Sequence, residues 1–351
     1  MTFVRRFVLP VTASLAFAVL LLWLSGAPPL EALAALVDGS VGSTGKLADT
    51  LTAWAPLALA AAGLVVTFSA GLWNIGVEGQ VIAGAIVATW AAREIPGPGW
   101  VVMVAALVLG FVGGALWGSL AGILRVRWNV NEIFGGLGLF FVAQAVATYL
   151  VIGPWKRQGI ASTSGTDLFR EEVWLPTIGG TRASLPAIGV ALASIGFVWW
   201  LLGRTRYGLE FRAVGRNLES ARLLGIRSEV VMLGAFGLGG GLAGLAGAVL
   251  AIGVQHKLVP AIAGGRGFLA ILIVLLAGFS IRWAGPIALF FAAISVGSSQ
   301  LDLRLDLDSS LGGVVQGVLV LIAILAGAWQ VKRGIARSLP GAPVAERRDA
   351  A

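Results

Sequence analysis

Long apolar runs alternate with short polar breaks along most of the chain. A helix that crosses a bilayer needs about 20 mostly apolar residues. Ten stretches approach that length: roughly 7–24, 51–72, 77–92, 100–124, 133–152, 186–202, 230–253, 267–280, 284–300 and 311–330. The pattern predicts an all-α membrane protein of about ten transmembrane helices. The eighth stretch is short and reads as a little-tilted span or a partly re-entrant one. Two polar stretches are long, about 153–185 and about 203–229. No sequence repeat is visible, but five plus five spans leave room for an inverted structural repeat.

Charge orients this string of helices. With the amino terminus inside, sixteen of the 25 Lys and Arg residues fall on the inner side, Arg125, Arg127, Arg212 and Arg222 among them, and nine fall outside. Basic loops stay cytoplasmic, so both termini are expected inside, with 153–185 outside and 203–229 inside. Arg5 and Arg6 precede an apolar run of about 18 residues, long for the core of a cleaved signal, and the run is expected to remain as the first span. Residues 1–338 then form one transmembrane domain, and 339–351 a disordered cytoplasmic tail.

Composition agrees: 58% of residues are hydrophobic and 12% charged, where a soluble domain has about 25% charged. The net charge of +8 is explained by inner loops and does not call for nucleic acid. With no cysteine and one histidine, His256, thiolate chemistry and a multi-His metal site are excluded. Most of the 13 tryptophans fall near span ends, where indoles anchor to the interface.

Four motifs interrupt or mark the spans. In Asn74–Gln80, Glu78 sits near or within the membrane, where an ionisable side chain is costly and faces protein or water. The segment reads as a broken helix beside a transport path, or as an ordinary inner turn. Asn129, Asn131 and Glu132 suit the start of the fifth span, as cap and first-turn acid. Residues 237–247 contain GxGxxG at Gly239, Gly241 and Gly244, but without a preceding strand this is no dinucleotide fingerprint. Gly237, Gly240, Gly241, Gly244 and Gly247 instead make a close helix-packing face. In the inner stretch, Ser220–Ile226 is expected to form a short helix with Ala221, Leu224 and Gly225 on its surface, fit to dock into a groove on a partner; the bland alternative is a basic loop held near anionic lipid. Gly45-Lys46 lacks the rest of a phosphate-binding loop. Asp302, Asp306 and Asp308 read as a solvated outer loop rather than a cation site.

Three stretches carry a family resemblance. FSAGLWNIGVEGQVIAGA (Phe68–Ala85), NEIFGGLGLFF with YLVIGPWK (between Asn131 and Lys156) and TRYGLEFRAVGRNLESARLLGI (Thr205–Ile226) are similar to permease subunits of bacterial ABC importers. The branch is that of simple sugars and nucleosides, associated with basic-membrane-protein-type lipoproteins, within the branched-chain-type permease superfamily. One departure is Phe140, which stands where nucleoside-type members have Asn after Leu.

The resemblance implies a multi-pass protein of the bacterial cytoplasmic membrane that is not an enzyme. It implies two cytoplasmic ABC ATPase domains as partners, a second permease copy or paralogue, and an extracytoplasmic solute-binding lipoprotein. ATP and Mg are then used by the ATPases, with no cofactor on this chain. Candidate path residues are Asn74, Glu78, Gln80, Asn131, Glu132 and Phe140. Candidate coupling residues are Arg212, Gly215, Asn217, Ser220, Ala221, Leu224 and Gly225. The expected cargo is a nucleoside, a purine-like compound or a simple sugar. An ion-coupled secondary transporter would want more intramembrane carboxylates than Glu78 and Glu132, and a membrane enzyme would want a cluster of reactive side chains.

Overall fold

A computed structural model describes residues 19, 28–157, 159, 164–305, 313–314, 316–318 and 321. The expected first span, most of the tenth, Asp306, Asp308, the side chain of Asp302 and the tail 339–351 lie outside the described residues. Within them the structure is helical; an isolated bridge between Thr177 and Ser184 is the one β feature.

The helices are α1 (Pro29–Val41), α2 (Thr44–Ser69), α3 (Val77–Glu94), α4 (Gly99–Trp128), α5 (Glu132–Ile152), α6 (Leu185–Arg204), α7 (Arg206–Arg216), α8 (Leu218–Leu223), α9 (Ser228–Val249), α10 (Arg266–Leu276), α11 (Ile281–Gly297) and α12 (Ser299–Leu305). Six helical segments are long and apolar enough to cross a membrane: α2, α4, α5, α6, α9 with its continuation to Gln255, and α11 running on to Leu305. Their starts and ends are set by local chemistry. Ser43 accepts the Lys46 N–H at the start of α2, and Asn131 accepts the Ile133 N–H (2.9 Å) at the start of α5, each satisfying a donor the helix cannot.

The molecule has a buried centre and an apolar exterior. In α2 and α9, 78% and 83% of the apolar window is buried, against 33%, 22% and 28% in α4, α5 and α6. The centre is assembled by close backbone approach. A Cβ on Gly244 would meet Gly114 Cα at 2.6 Å, one on Gly240 would meet Gly118 Cα at 3.0 Å, and one on Gly247 would meet Ala85 N at 2.7 Å. Gly241 faces the Phe111 ring, and Gly237 faces Ser119 at 3.1 Å. Lipid gives helices no hydrophobic reason to associate, so short interhelical distances and dispersion contacts supply it.

One expectation needs correction, and one open alternative is narrowed. The stretch 203–229 is not a loop: after Arg204 the chain re-enters helix twice. Thr205 caps α7 through the Gly208 N–H (3.1 Å), and Asn217 caps α8 through the Ser220 N–H (2.9 Å). The eighth apolar stretch forms α10, only 11 residues long. At 1.5 Å per residue that is about 16 Å, half the hydrocarbon thickness of about 30 Å. The chain returns from the end of α9 through the non-helical residues 256–265 and starts α10 part-way down.

Candidate functional site

Two places where helices are interrupted lie at opposite ends of α6 and α9. The first, on the base-rich face, joins residues 70–80 to α5, α7 and the start of α10. Gly71, at φ +73°, lets the chain turn after α2 and lie backbone to backbone on Gly215, where a Cβ would meet Gly71 N at 2.8 Å. Gly76 lies likewise on Gly136 of α5 (2.9 Å from its built Cβ to Gly136 Cα).

The polar residues of this junction satisfy one another. Asn74 and Gln80, each 1% exposed, exchange two amide hydrogen bonds of 2.9 Å. Glu78, 3% exposed, accepts the backbone N–H of Gly265 (2.6 Å) and of Gly267 (2.5 Å). It therefore caps α10, placing a carboxylate where the helix presents free donors and the positive end of its dipole. Asn131 caps α5, and Glu132 pairs with Arg125 at 3.2 Å. Phe140 lies edge-on to Phe268 (5.5 Å) with its backbone against Gly79. The junction thus brings Asn74, Glu78, Gln80 and Phe140 together but turns the three polar side chains inward, onto the chain itself. The Trp117 Nε1–H beside Gly79 is buried without a hydrogen-bond partner among the described residues.

Beside it, α7 and α8 lie across the base-rich face. Their small residues are used internally: Gly208 packs on the Leu201 backbone, Gly215 on Gly71, and Ala221 is 1% exposed. Ala221 is therefore not on the docking surface expected of it. Helix α8 stops one turn early, because Gly225 adopts φ +79° and the Ile226 N–H returns to Ala221 O (3.1 Å), an αL ending that favours glycine. The side chains this leaves in solvent are Leu223 and Leu224, 87% and 79% exposed, with Arg222 and Arg227 flanking them in sequence. Arg212 Nε donates back to Gly208 O (3.3 Å). Leu223 was not singled out from sequence, since one-turn differences in where a helix ends decide which leucine faces out.

The second interruption is open. At the far end, α9 widens into a π-helical turn, Leu250–Gln255, a deviation that marks functional sites more often than ordinary helix. The segment after residue 164 lies along it: Thr166 N bonds Leu258 O (2.9 Å), Phe169 N bonds His256 O (2.9 Å) and Leu175 N bonds Ile252 O (3.1 Å). Between this wall and α2, α4, α11 and α12 lies a cavity of about 1200 Å³. Asp49, Glu171, Glu172, Arg182 and Arg266 supply its charges, and Trp100, Trp174 and His256 its aromatic surface. The His256 ring stacks on Trp174, 3.9 Å between centroids and 16° between planes. Burial pushes its imidazole below the usual histidine value, against the opposing hydrogen bond to Ile252 O, so the ring is neutral at pH 7. None of these cavity residues was among the sequence candidates. The available signals were Arg266, a lone charge opening an apolar run, and the single histidine ten residues before it.

Among the described residues no group of His, Cys, Asp or Glu is placed to hold a metal ion. The arrangement, a self-bonded junction at one end and a polar cavity at the other, is compatible with moving a solute through the helices.

The likenesses to known proteins agree. Residues 46–324 match the family of branched-chain amino acid transport system permease components. The chain is 32% identical over 327 residues to the glucose ABC transporter permease protein TsgB13 of Haloferax volcanii, covering 90% of this chain and 86% of that protein. It is 26% identical over 314 residues to the guanosine ABC transporter permease protein NupP of Bacillus subtilis, covering 88% and 89%. It is 28% identical over 270 residues to the nucleoside ABC transporter permease protein NupB of Lactococcus lactis, covering 74% and 72%. With the match spanning the helical core and both interrupted regions, the chain belongs to the branched-chain amino acid transport system permease family and is the permease subunit of an ABC transporter.

Proposed function

We propose that this chain forms, with a second copy or a paralogous permease, the membrane path of an importer for a small neutral solute: a nucleoside, a purine-like compound or a simple sugar. The base-rich face is cytoplasmic, both termini lie on that side, and about ten spans cross the membrane. A solute-binding lipoprotein delivers cargo to the opposite face. Two ATPase domains bind ATP and Mg against α7 and α8, and their closure moves these helices. Gly215 transmits that movement to residues 71–76 by backbone contact, and Glu78 carries it to α10. The ATPases do work only if they contact the two path states differently, and a short helix on a glycine pivot supplies two positions.

The observation that carries this reading is the exposed Leu223–Leu224 pair at the end of α8, within a chain of permease ancestry. Two adjacent leucines in water on a basic face fit a groove on a cytoplasmic partner. An ion-coupled mechanism is less supported, because Glu78 and Glu132 are both engaged with partners in the chain.

The test is uptake into vesicles holding the permease pair, its ATPases and its binding protein. Leu223→Glu with Leu224→Glu is expected to abolish ATP-driven uptake and to strip the ATPases from the membrane, with permease yield unchanged. Wild-type uptake by this variant would sink the docking assignment. A charge at Ala221 is a poorer test, because Ala221 is buried and its loss would confound folding with docking.

A further inference from the structure

The cavity beside the π-helical turn lies between that turn and α2, α4, α11 and α12. We infer that it is a solute-holding site of this subunit for a neutral, hydroxyl-bearing ring, occupied before cargo enters the shared path; this rests on the importer reading above.

The walls show what the site accepts. Ile252 O can only accept, so the 3.1 Å contact from His256 Nδ1 places the imidazole proton on Nδ1. A neutral ring then presents Nε2 as a bare acceptor, and no partner takes it among the described residues. The positive φ of 54° at His256 and the stack on Trp174 hold that ring in place, a strained conformation maintained by its surroundings. A Cβ on Gly253 would stand 2.6 Å from Leu175 Cδ1, so the wall is closely fitted.

The rest of the lining adds more acceptors. Glu171 and Glu172 have no ion pair among the described residues, whereas Asp49 lies 3.9 Å from Arg182. Arg266 donates to its own turn at Ala263 O (3.2 Å) and lies close enough to Glu78 to feel its charge. An acceptor-rich, net acidic cavity with aromatic walls suits hydroxyl and ring N–H donors. It disfavours a phosphate, which would face the two free carboxylates.

The chain has no cysteine, so a single thiol can report on the cavity. Thr177, exposed on its wall, is replaced by Cys in the complete importer in vesicles. A charged thiol reagent is added alone or with guanosine, guanosine 5′-monophosphate, glucose or glucose 6-phosphate, without binding protein. Guanosine or glucose, whichever the importer takes up, is expected to slow labelling about tenfold, and both phosphates to leave it unchanged. His256→Phe, which keeps the stack and removes the acceptor, is expected to raise the protecting concentration about tenfold. ATP-driven uptake of a probe that gives no protection would overturn the site while leaving the importer reading intact, as would equal protection by its phosphate. Uptake of neither probe, nor of any other nucleoside, purine or simple sugar, would overturn the sugar-or-nucleoside reading and the site with it. ATP-independent uptake with protection intact would overturn the ATP-driven importer reading and the site's place ahead of a shared path, while leaving solute binding at the cavity.

Discussion

The two interrupted regions solve one problem in opposite ways. Breaking a helix inside a bilayer frees backbone donors and acceptors that lipid cannot satisfy. At the base-rich end the protein satisfies most of them itself: Glu78 takes two N–H groups of the α10 start, Asn74 and Gln80 take each other, and glycines let backbones touch. At the far end the π-helical turn and the segment after residue 164 satisfy part of the backbone but leave a cavity of about 1200 Å³. Polar residues near a membrane break are therefore not interchangeable signs of a solute path. Where they are mutually bonded they hold helices together; where their capacity is spare they line open space.

Loss of Glu78 should expose this difference most. Glu78→Ala leaves two buried N–H groups unpaired and a void, and each charge-assisted bond is worth about 1.5–3 kcal/mol. The expected loss is about 3–5 kcal/mol, read as a large fall in detergent melting temperature and yield, with Glu78→Gln intermediate. A wild-type melting temperature would show that the junction is not self-satisfied.

Next comes packing. Gly215→Ala pushes a methyl into Gly71 and is expected to cost about 1–3 kcal/mol. Gly234→Ala in α9 has open space around its Cβ and is expected to be neutral or to stabilise by about 0.5–1 kcal/mol. Equal melting temperatures for the two variants would refute the close-contact account.

Gln80→Leu strands the Asn74 amide, about 1–3 kcal/mol. The double replacement Asn74→Leu with Gln80→Leu should cost less than the two singles added, which a double-mutant cycle measures directly. On the cavity side, Thr177→Ala is expected to change stability by less than about 0.5 kcal/mol. A larger loss would mean that the cavity wall, like the junction, is structural.

The smallest effect belongs to Asp38, whose carboxylate binds Lys46 (3.4 Å) and Arg304, tying α1 to α2 and α12. The Lys46 hydrogen bond, with Arg304 beside it, holds this carboxyl below its usual value. A depressed acid stabilises the fold above its unfolded pKa and loses that contribution as pH falls through the folded value. Melting temperature should therefore dip slightly below about pH 4, and Asp38→Asn should flatten that dip.

What could be read from the chain was local. Apolar runs placed α4, α5, α6 and α9 within a few residues of their observed limits and missed the start of α2 by seven, because helix length and apolarity are set by the residues within the helix and by the bilayer. Asn131 as a cap and the glycine face of α9 were legible for the same reason: each depends on spacing of a few residues. Ala221 of α8 was misread as part of a docking surface, because small size alone does not say which neighbour the residue approaches.

Long-range partners were decided only in three dimensions. Glu78 meets Gly265 and Gly267 across 187 and 189 residues, and no spacing rule reaches that far. The apolar run of 14 residues showed that α10 is short, but where it starts depends on where the chain turns back after His256. The cavity is assembled from α2, α4, the 171–182 segment and the ends of α9 and α11, none of which carries a motif alone. Sequence determined that this protein lives in a membrane and crosses it repeatedly, since lipid acts on each helix separately. Tertiary structure decided which polar breaks are sealed and which stay open, since a buried polar group is defined by the partner the fold brings to it.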